Sequence, residues 1–136
     1  MWLLELYLTH LYRQYDVQLK PESLNANVCT HINFSFASLR DNAIHVDSAA
    51  TLHKLVEMRK RNPHLTVMIS LGGWSEGSTK YSQMVHSADH RKHLIDSALA
   101  LLKQYDLDGL DLDWEVWQIE FHSMSYNAAK SSSFFF

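Results

Sequence analysis

Three acids, Asp111, Asp113 and Glu115, stand two residues apart within Asp108-Gly109-Leu110-Asp111-Leu112-Asp113-Trp114-Glu115. At the period of a β-strand they point to one face, while Leu110, Leu112 and Trp114 point to the other. Neighbouring carboxylates on such a face lie about 7 Å apart from Cα to Cα, close enough to couple electrostatically. On a partly dry face they do not all ionise freely, and one tends to keep its proton near neutral pH, which is how a carboxyl group becomes a general acid. The same residues fit two plainer readings. One is the acidic outer face of a half-exposed strand, and the other is a carboxylate cluster for a hard metal ion. The elements around the strand decide among them.

Leu3 to Leu8 reads as a short buried strand, and Pro21 as the first residue of at most a short helix. From His31 to Ser38 the pattern alternates, with Ile32, Phe34 and Phe36 on one side and Asn33, Ser35 and Ala37 on the other, which predicts a second strand. Asp41-Asn42 supplies turn chemistry, and Ser48 is placed to cap a helix that runs through Arg61 and stops at Asn62-Pro63. Leu65 to Leu71 is a near-continuous apolar run, the mark of a strand covered on both faces, and it ends at Gly72-Gly73. After a loop, Ser87 is placed to cap a helix whose Ile95, Ala98, Leu99 and Leu102 recur at helical spacing. Asp106 to Gly109 then turns the chain into the acidic strand. Strands alternating with helices imply parallel pairing through right-handed crossovers. The acidic face is then expected to line a barrel interior or a crevice at the carboxyl ends of the strands, where α/β folds place their chemistry.

The totals narrow the partners. A chain of 136 residues, 46% hydrophobic and 20% charged, reads as one soluble globular domain with a real core. With 12 basic against 15 acidic residues, and aromatics not interleaved with basic ones, nucleic acid is not an expected partner. Met1 to Leu8 is apolar but short, lacks a basic region and carries Glu5, so it is expected to be a strand, not a signal peptide or a membrane span. Cys29 is the only cysteine, so no disulfide forms within the chain.

Read together, these stretches are similar to a known family. Asp108 to Glu115 resembles the DGxDxDWE signature on the fourth strand of family 18 glycoside hydrolases, the chitinases and their lectin-like relatives. Ser70-Leu71-Gly72-Gly73-Trp74 resembles the SxGG motif at the end of the family's third strand, and Cys29 to Ala37 resembles its second strand. The likeness runs from Tyr7 to Glu115 and keeps the spacing between motifs. It implies an α/β fold, a partial TIM (β/α)8 barrel of about four βα units, since a whole barrel typically takes about 250 residues. Residues 1–115 are then the barrel part and 116–136 a divergent, irregular tail.

The resemblance also implies roles. Glu115 protonates the glycosidic oxygen, Asp113 holds and polarises the N-acetyl group of the sugar, and Asp111 shares a proton with Asp113. The acetamido oxygen of the substrate serves as nucleophile in this family, so one glutamic acid with an assisting aspartate is enough. Phe36, Gly72, Gly73 and Trp74 are expected on the substrate side, with Ser70 in support and Asp108, in a supporting role, shaping the entry turn with Gly109. The two glycines would let the backbone approach either the sugar or the neighbouring strand. No metal and no cofactor are implied. The implied ligand is chitin or a chito-oligosaccharide and the implied setting extracellular.

Two departures bear on function. Val116-Trp117 stands where the family usually has Tyr-Pro, and Leu6 stands about where many members carry a cysteine that pairs with the counterpart of Cys29, which leaves Cys29 unpaired. The expectation is a chitinase-like hydrolase cleaving β-1,4-N-acetylglucosamine linkages, in truncated form. The alternative is a non-catalytic chitin-binding or inactive fragment, with self-association through open barrel edges.

Other candidates carry less chemistry. Gly72 to Lys80 is a near miss of a phosphate loop, with the lysine falling late. His86, His90 and His93 read as a solvated helix face, not a metal site. Ser35 and Ser70 lack histidine and aspartate partners for nucleophilic work. Cys29 reads as a buried structural thiol, and Trp114 as core between strand and helix.

Overall fold

Residues 5–7, 21–114 and 134–135 are described by the structure, a computed structural model. Its strands are β1 (Glu5–Tyr7), β2 (His31–Arg40), β3 (Ala43–His45), β4 (Thr66–Gly72), β5 (Gly109–Asp113) and β6 (Phe134–Phe135). The helices are α1 (Ala49–Glu57), α2 (Thr79–His86) and α3 (Ala88–Tyr105), with 3-10 turns at Pro21–Ser23, Met58–Lys60 and Trp74–Glu76.

β1, β2, β4 and β5 pair in parallel in that order, so the parallel strands follow the order of the chain, with β3 set aside between β2 and β4. This is the wall of a (β/α) barrel in the expected order. Two strands lie outside that expectation. Asp41 (φ 50°) and Asn42 (φ 61°) form a two-residue turn of left-handed residues, which returns the chain as β3, antiparallel to the end of β2. A three-residue return strand is too short to show alternation. At the far edge β6 pairs antiparallel with β5, matching Asp111 with Phe135 and Leu112 with Phe134.

The core lies between this sheet and the helices. Ile32, Phe34, Val67, Ile69 and Leu71 of the sheet pack with Leu52 and Leu55 of α1, Met58, and Leu94, Ala98 and Leu101 of α3. The predicted face of α3 needs correction: Ile95 and Leu99 are 57% and 60% exposed, while Leu94, Ala98 and Leu101 are buried. Both stripes keep helical spacing and share Ala98, so periodicity alone does not choose between them. Contact with the sheet does.

The stretch after Gly73, read as a loop, also needs correction. α2 fills it and buries Tyr81 and Met84. Tyr81, Met84 and Val85 keep helical spacing, but eight residues are too few for a clear pattern. Ser87 does cap α3, its side chain accepting from His90 N–H at 3.3 Å. Ser48 stands at the N-cap of α1 without bonding its backbone, and its hydroxyl meets that of Thr51 at 2.8 Å instead. Among the described residues no helix is long and apolar enough to cross a membrane.

Cys29 is buried in the core, and burial pushes its thiol above the usual value of about 8.5. A thiol raised in this way stabilises the fold below its unfolded-state value and loses that contribution as pH rises through the folded one. At pH 8 the folded chain should react with an aromatic disulfide reagent at least about tenfold more slowly than the urea-unfolded chain. Equal rates would place the thiol at the surface.

At the amino-terminal end of the sheet, Arg59 clamps the two βα units. Its guanidinium donates to Asp106 O at 2.5 Å and Asp106 Oδ2 at 3.1 Å, and also to Asp108 Oδ2. Asp108 Oδ2 accepts Val67 N–H at 2.6 Å as well. Arg59→Ala should lower stability by about 1–2 kcal/mol, a charged hydrogen-bond loss reduced by partial solvent exposure. A midpoint of urea unfolding equal to wild type would count against the clamp.

Candidate active site

The acidic strand occupies the place its sequence pattern requires. Leu110, Leu112 and Trp114 pack against the core, and Asp111 points to the opposite face, where it is fully buried. Asn33, Ser35 and Ser70 are equally buried on that face, so the sheet carries a polar row inside what would be a barrel interior. Register brings the row together: Ser35 pairs with Ser70, and Ser70 with Asp111. Ser70 Oγ donates to Asp111 Oδ2 at 2.8 Å, while Asp111 Oδ1 and Ser35 Oγ have no hydrogen-bond partner among the described residues. Buried polar atoms left open in this way are costly, and they concentrate where function sets the residue type. The structure thus brings Ser70 and Asp111 into contact on this face.

One step further along, Gly72 pairs with Asp113 at the carboxyl ends of β4 and β5. Gly73 N–H donates to Asp113 O at 2.8 Å. A Cβ on Gly72 would stand 2.1 Å from Asp113 O, and one on Gly73 would stand 2.9 Å from the Phe36 ring. Of the two purposes open to the glycines, Gly72 therefore serves the approach of the neighbouring strand. Gly73 makes room for Phe36.

Phe36 reaches that position through an irregularity the alternation does not foretell. The β2–β4 register shifts between Ser35 and Ala37, and the Ser35–Phe36 peptide bond is cis. One extra residue swaps the faces beyond it. Ala37 and Leu39 therefore enter the core, and Phe36 lies against Gly73 instead of beside Phe34. Trp74, in the turn that follows, is 66% exposed at the same end of the sheet.

Asp108 does not join this group. It lies at the start of β5, five residues and about 16 Å of strand from Asp113, and its bonds to Arg59 and Val67 serve the fold. Glu115 lies outside the described residues.

Two residues not singled out from the sequence stand beside the site. Tyr81 is buried, its ring stacks on Trp114 with centroids 6.0 Å apart, and its hydroxyl donates to Glu76 Oε2 at 3.1 Å. Burial pushes the Tyr81 phenol well above its usual range, and the negative charges of Glu76 and Asp113 push the same way. Burial alone would raise Glu76. The Lys80 hydrogen bond, the Leu39 N–H and the Tyr81 hydroxyl outweigh it and hold that carboxyl below its ordinary value. The helical spacing of Tyr81, Met84 and Val85 was the available signal for α2, but nothing in the sequence marks Glu76 as its partner.

The remaining candidates fall away from this end. Lys80 Nζ meets Glu76 Oε2 at 2.5 Å and donates to Leu39 O at 3.0 Å, so the late lysine of the phosphate-loop near miss is engaged within the fold. His86, His90 and His93 are exposed and are split between the end of α2 and the start of α3. Among the described residues no three His, Cys, Asp or Glu side chains group to hold a metal.

Comparison with known proteins agrees with this architecture. The model of the glycosyl hydrolases family 18 matches residues 6–130. Chitotriosidase-1 of Mus musculus is 34% identical over 107 residues, which cover 76% of this chain and 23% of that protein. The group IV chitinase of Ostrinia furnacalis, solved in complex with allosamidin, superposes with a TM-score of 0.73 at 26% identity over 82% of this chain and 32% of that one. Human YKL-39, described as a pseudo-chitinase with retained chitooligosaccharide binding, gives 0.70 at 29% identity over 81% and 31%. The chain therefore spans a third or less of the length of these relatives, and its parallel strands correspond to part of their TIM barrel. With most of its length matched by the family model, the chain belongs to family 18 of the glycosyl hydrolases.

Proposed function

We propose that this chain carries the acid face of a chitinase-type glycosidase acting on β-1,4-linked N-acetylglucosamine. The observation that carries the reading is the buried pairing of Ser70 with Asp111, one step below Asp113 at the carboxyl end of β5. A buried carboxylate that, among the described residues, holds one hydrogen bond from a serine serves stability poorly, so a chemical use accounts for it better than a structural one. In this reading Glu115 is the acid, Asp113 orients the acetamido group whose oxygen attacks the anomeric carbon, and Asp111 backs Asp113. Phe36 and Trp74 offer aromatic faces to the sugar; Gly73 leaves room for the Phe36 ring and opens the turn that carries Trp74. Chitin or a chito-oligosaccharide is the ligand, and an extracellular place of action accompanies a polymeric substrate of this kind.

The experiment is release of product from a chromogenic chito-oligosaccharide, with Glu115→Gln as the control. Turnover lost in that variant supports the reading. Turnover unchanged in it removes Glu115 from the role of acid. Binding of the oligosaccharide without turnover in the wild type would support the non-catalytic, chitin-binding alternative.

A further inference from the structure

The turn that carries Trp74 is three residues long, Trp74–Glu76, and is bracketed by Gly73 (φ 84°) and Gly77 (φ 67°). Both glycines hold a positive φ that glycine adopts without strain, and because glycine also permits other conformations, contacts of the turn must select this one. Gly73 N–H holds one end through Asp113 O at 2.8 Å. The other end is held by Glu76. Its N–H donates to Gly73 O at 3.1 Å, and its Oε2 accepts Leu39 N–H at 3.0 Å and the Tyr81 hydroxyl at 3.1 Å. Lys80 Nζ lies 2.5 Å from the same oxygen. Leu39 belongs to β2, and Lys80 and Tyr81 to α2, so one oxygen joins the sheet, the helix and the turn. The Glu76 side chain is only 17% exposed, which sets it apart from the open ion pairs of the surface. The acid face of β5 does not use it.

We propose that Glu76 is a positioning residue: its carboxylate fixes the Gly73–Gly77 turn so that Trp74 is held as a rigid stacking platform for a pyranose ring of a chito-oligosaccharide. This deepens the functional reading above and rests on it for the ligand. An aromatic face already fixed before binding spares the cost of ordering it at the moment of contact. Glu76 acts on affinity through Trp74, and touches no sugar itself.

The test uses the whole chain and two readouts. The first is the steady-state fluorescence anisotropy of Trp74, taken as the difference between each protein and its Trp74→Phe counterpart. The second is affinity for tetra-N-acetyl-chitotetraose in a double-mutant cycle. Glu76→Ala should lower the Trp74 anisotropy and weaken binding about three- to tenfold, while Glu76→Gln, which still accepts from Leu39 and Tyr81, should recover most of both. In the Trp74→Ala background Glu76→Ala should have no further effect on affinity. Unchanged Trp74 anisotropy in Glu76→Ala overturns the proposal, and so does a loss of affinity that persists at full size without Trp74. If the wild type binds no tetrasaccharide, the sugar-binding reading fails by itself. The anisotropy of Glu76→Ala and Glu76→Gln then decides the positioning role alone.

Discussion

Gly72→Ala is expected to cost about 3–5 kcal/mol of stability, a large share of what a domain of this size holds. Two effects add at this position. The backbone stands at φ 124°, a region that only glycine visits readily. The new methyl group would also meet Asp113 O at 2.1 Å, and that atom is backbone of a paired strand, which a rotamer change does not clear. Relief therefore requires β4 and β5 to separate where Asp113 leaves the sheet. The neighbouring glycines grade the claim. Gly73→Ala meets the Phe36 ring at 2.9 Å, a side chain that turns aside, so the loss should be smaller and felt at Phe36. Gly77→Ala meets nothing within 4 Å, so only the backbone penalty of about 1–3 kcal/mol for its φ of 67° and ψ of 174° remains. Urea unfolding with an unchanged slope would rank the three. A Gly72→Ala midpoint no lower than that of Gly77→Ala would show that β4 and β5 do not approach as described.

That ranking shows which parts of the molecule the sequence makes legible. The sequence places Gly72 and Gly73 at the end of an apolar strand and assigns them to a close approach, yet it leaves open whether the neighbour is sugar or strand. Only the register of β4 on β5 answers, because the contact joins residues far apart in the chain. The parallel order of β1, β2, β4 and β5 was legible for a physical reason: buried strands and amphipathic helices alternate, and crossovers have one hand. The inward side of Asp111 was legible too, since a strict period of two sets it opposite Leu110 and Leu112.

Phe36 was not legible in the same way. Its alternation with Ile32 and Phe34 is perfect in the sequence, and the register shift after Ser35 reverses it. Irregularities of this kind are fixed by tertiary contacts such as the one with Gly73, which leave no local pattern. The face of α3 failed for a related reason. Two stripes of equal period compete on one helix, and the sheet selects the one with Leu94 and Leu101. Glu76 is the extreme case, because of the three donors that meet its carboxylate only Lys80 stands at a readable i,i+4 spacing, while Leu39 comes from a distant strand and Tyr81 from five residues on.

Glu115→Gln is expected to lower kcat of chito-oligosaccharide hydrolysis by about 10²–10⁴ with little change in affinity. In the proposed reading Glu115 is the acid, and glutamine keeps its size and an amide in place of the carboxyl while losing the proton to be donated. Asp113→Asn should act differently. If Asp113 grips the acetamido group, its loss weakens binding as well as turnover, so KM rises while kcat falls. A double variant separates the roles: two residues serving one transition state lose less together than the product of their single losses. The substrate offers the sharper test, since in the proposed mechanism the attacking oxygen belongs to its own acetamido group. A fully de-N-acetylated oligomer of the same length should not be cut by the wild type, whatever its affinity. Cleavage of that oligomer at a comparable rate would mean that a carboxylate of the chain, or water it activates, is the nucleophile. Asp113 would then have to be recast from assistant to reactant.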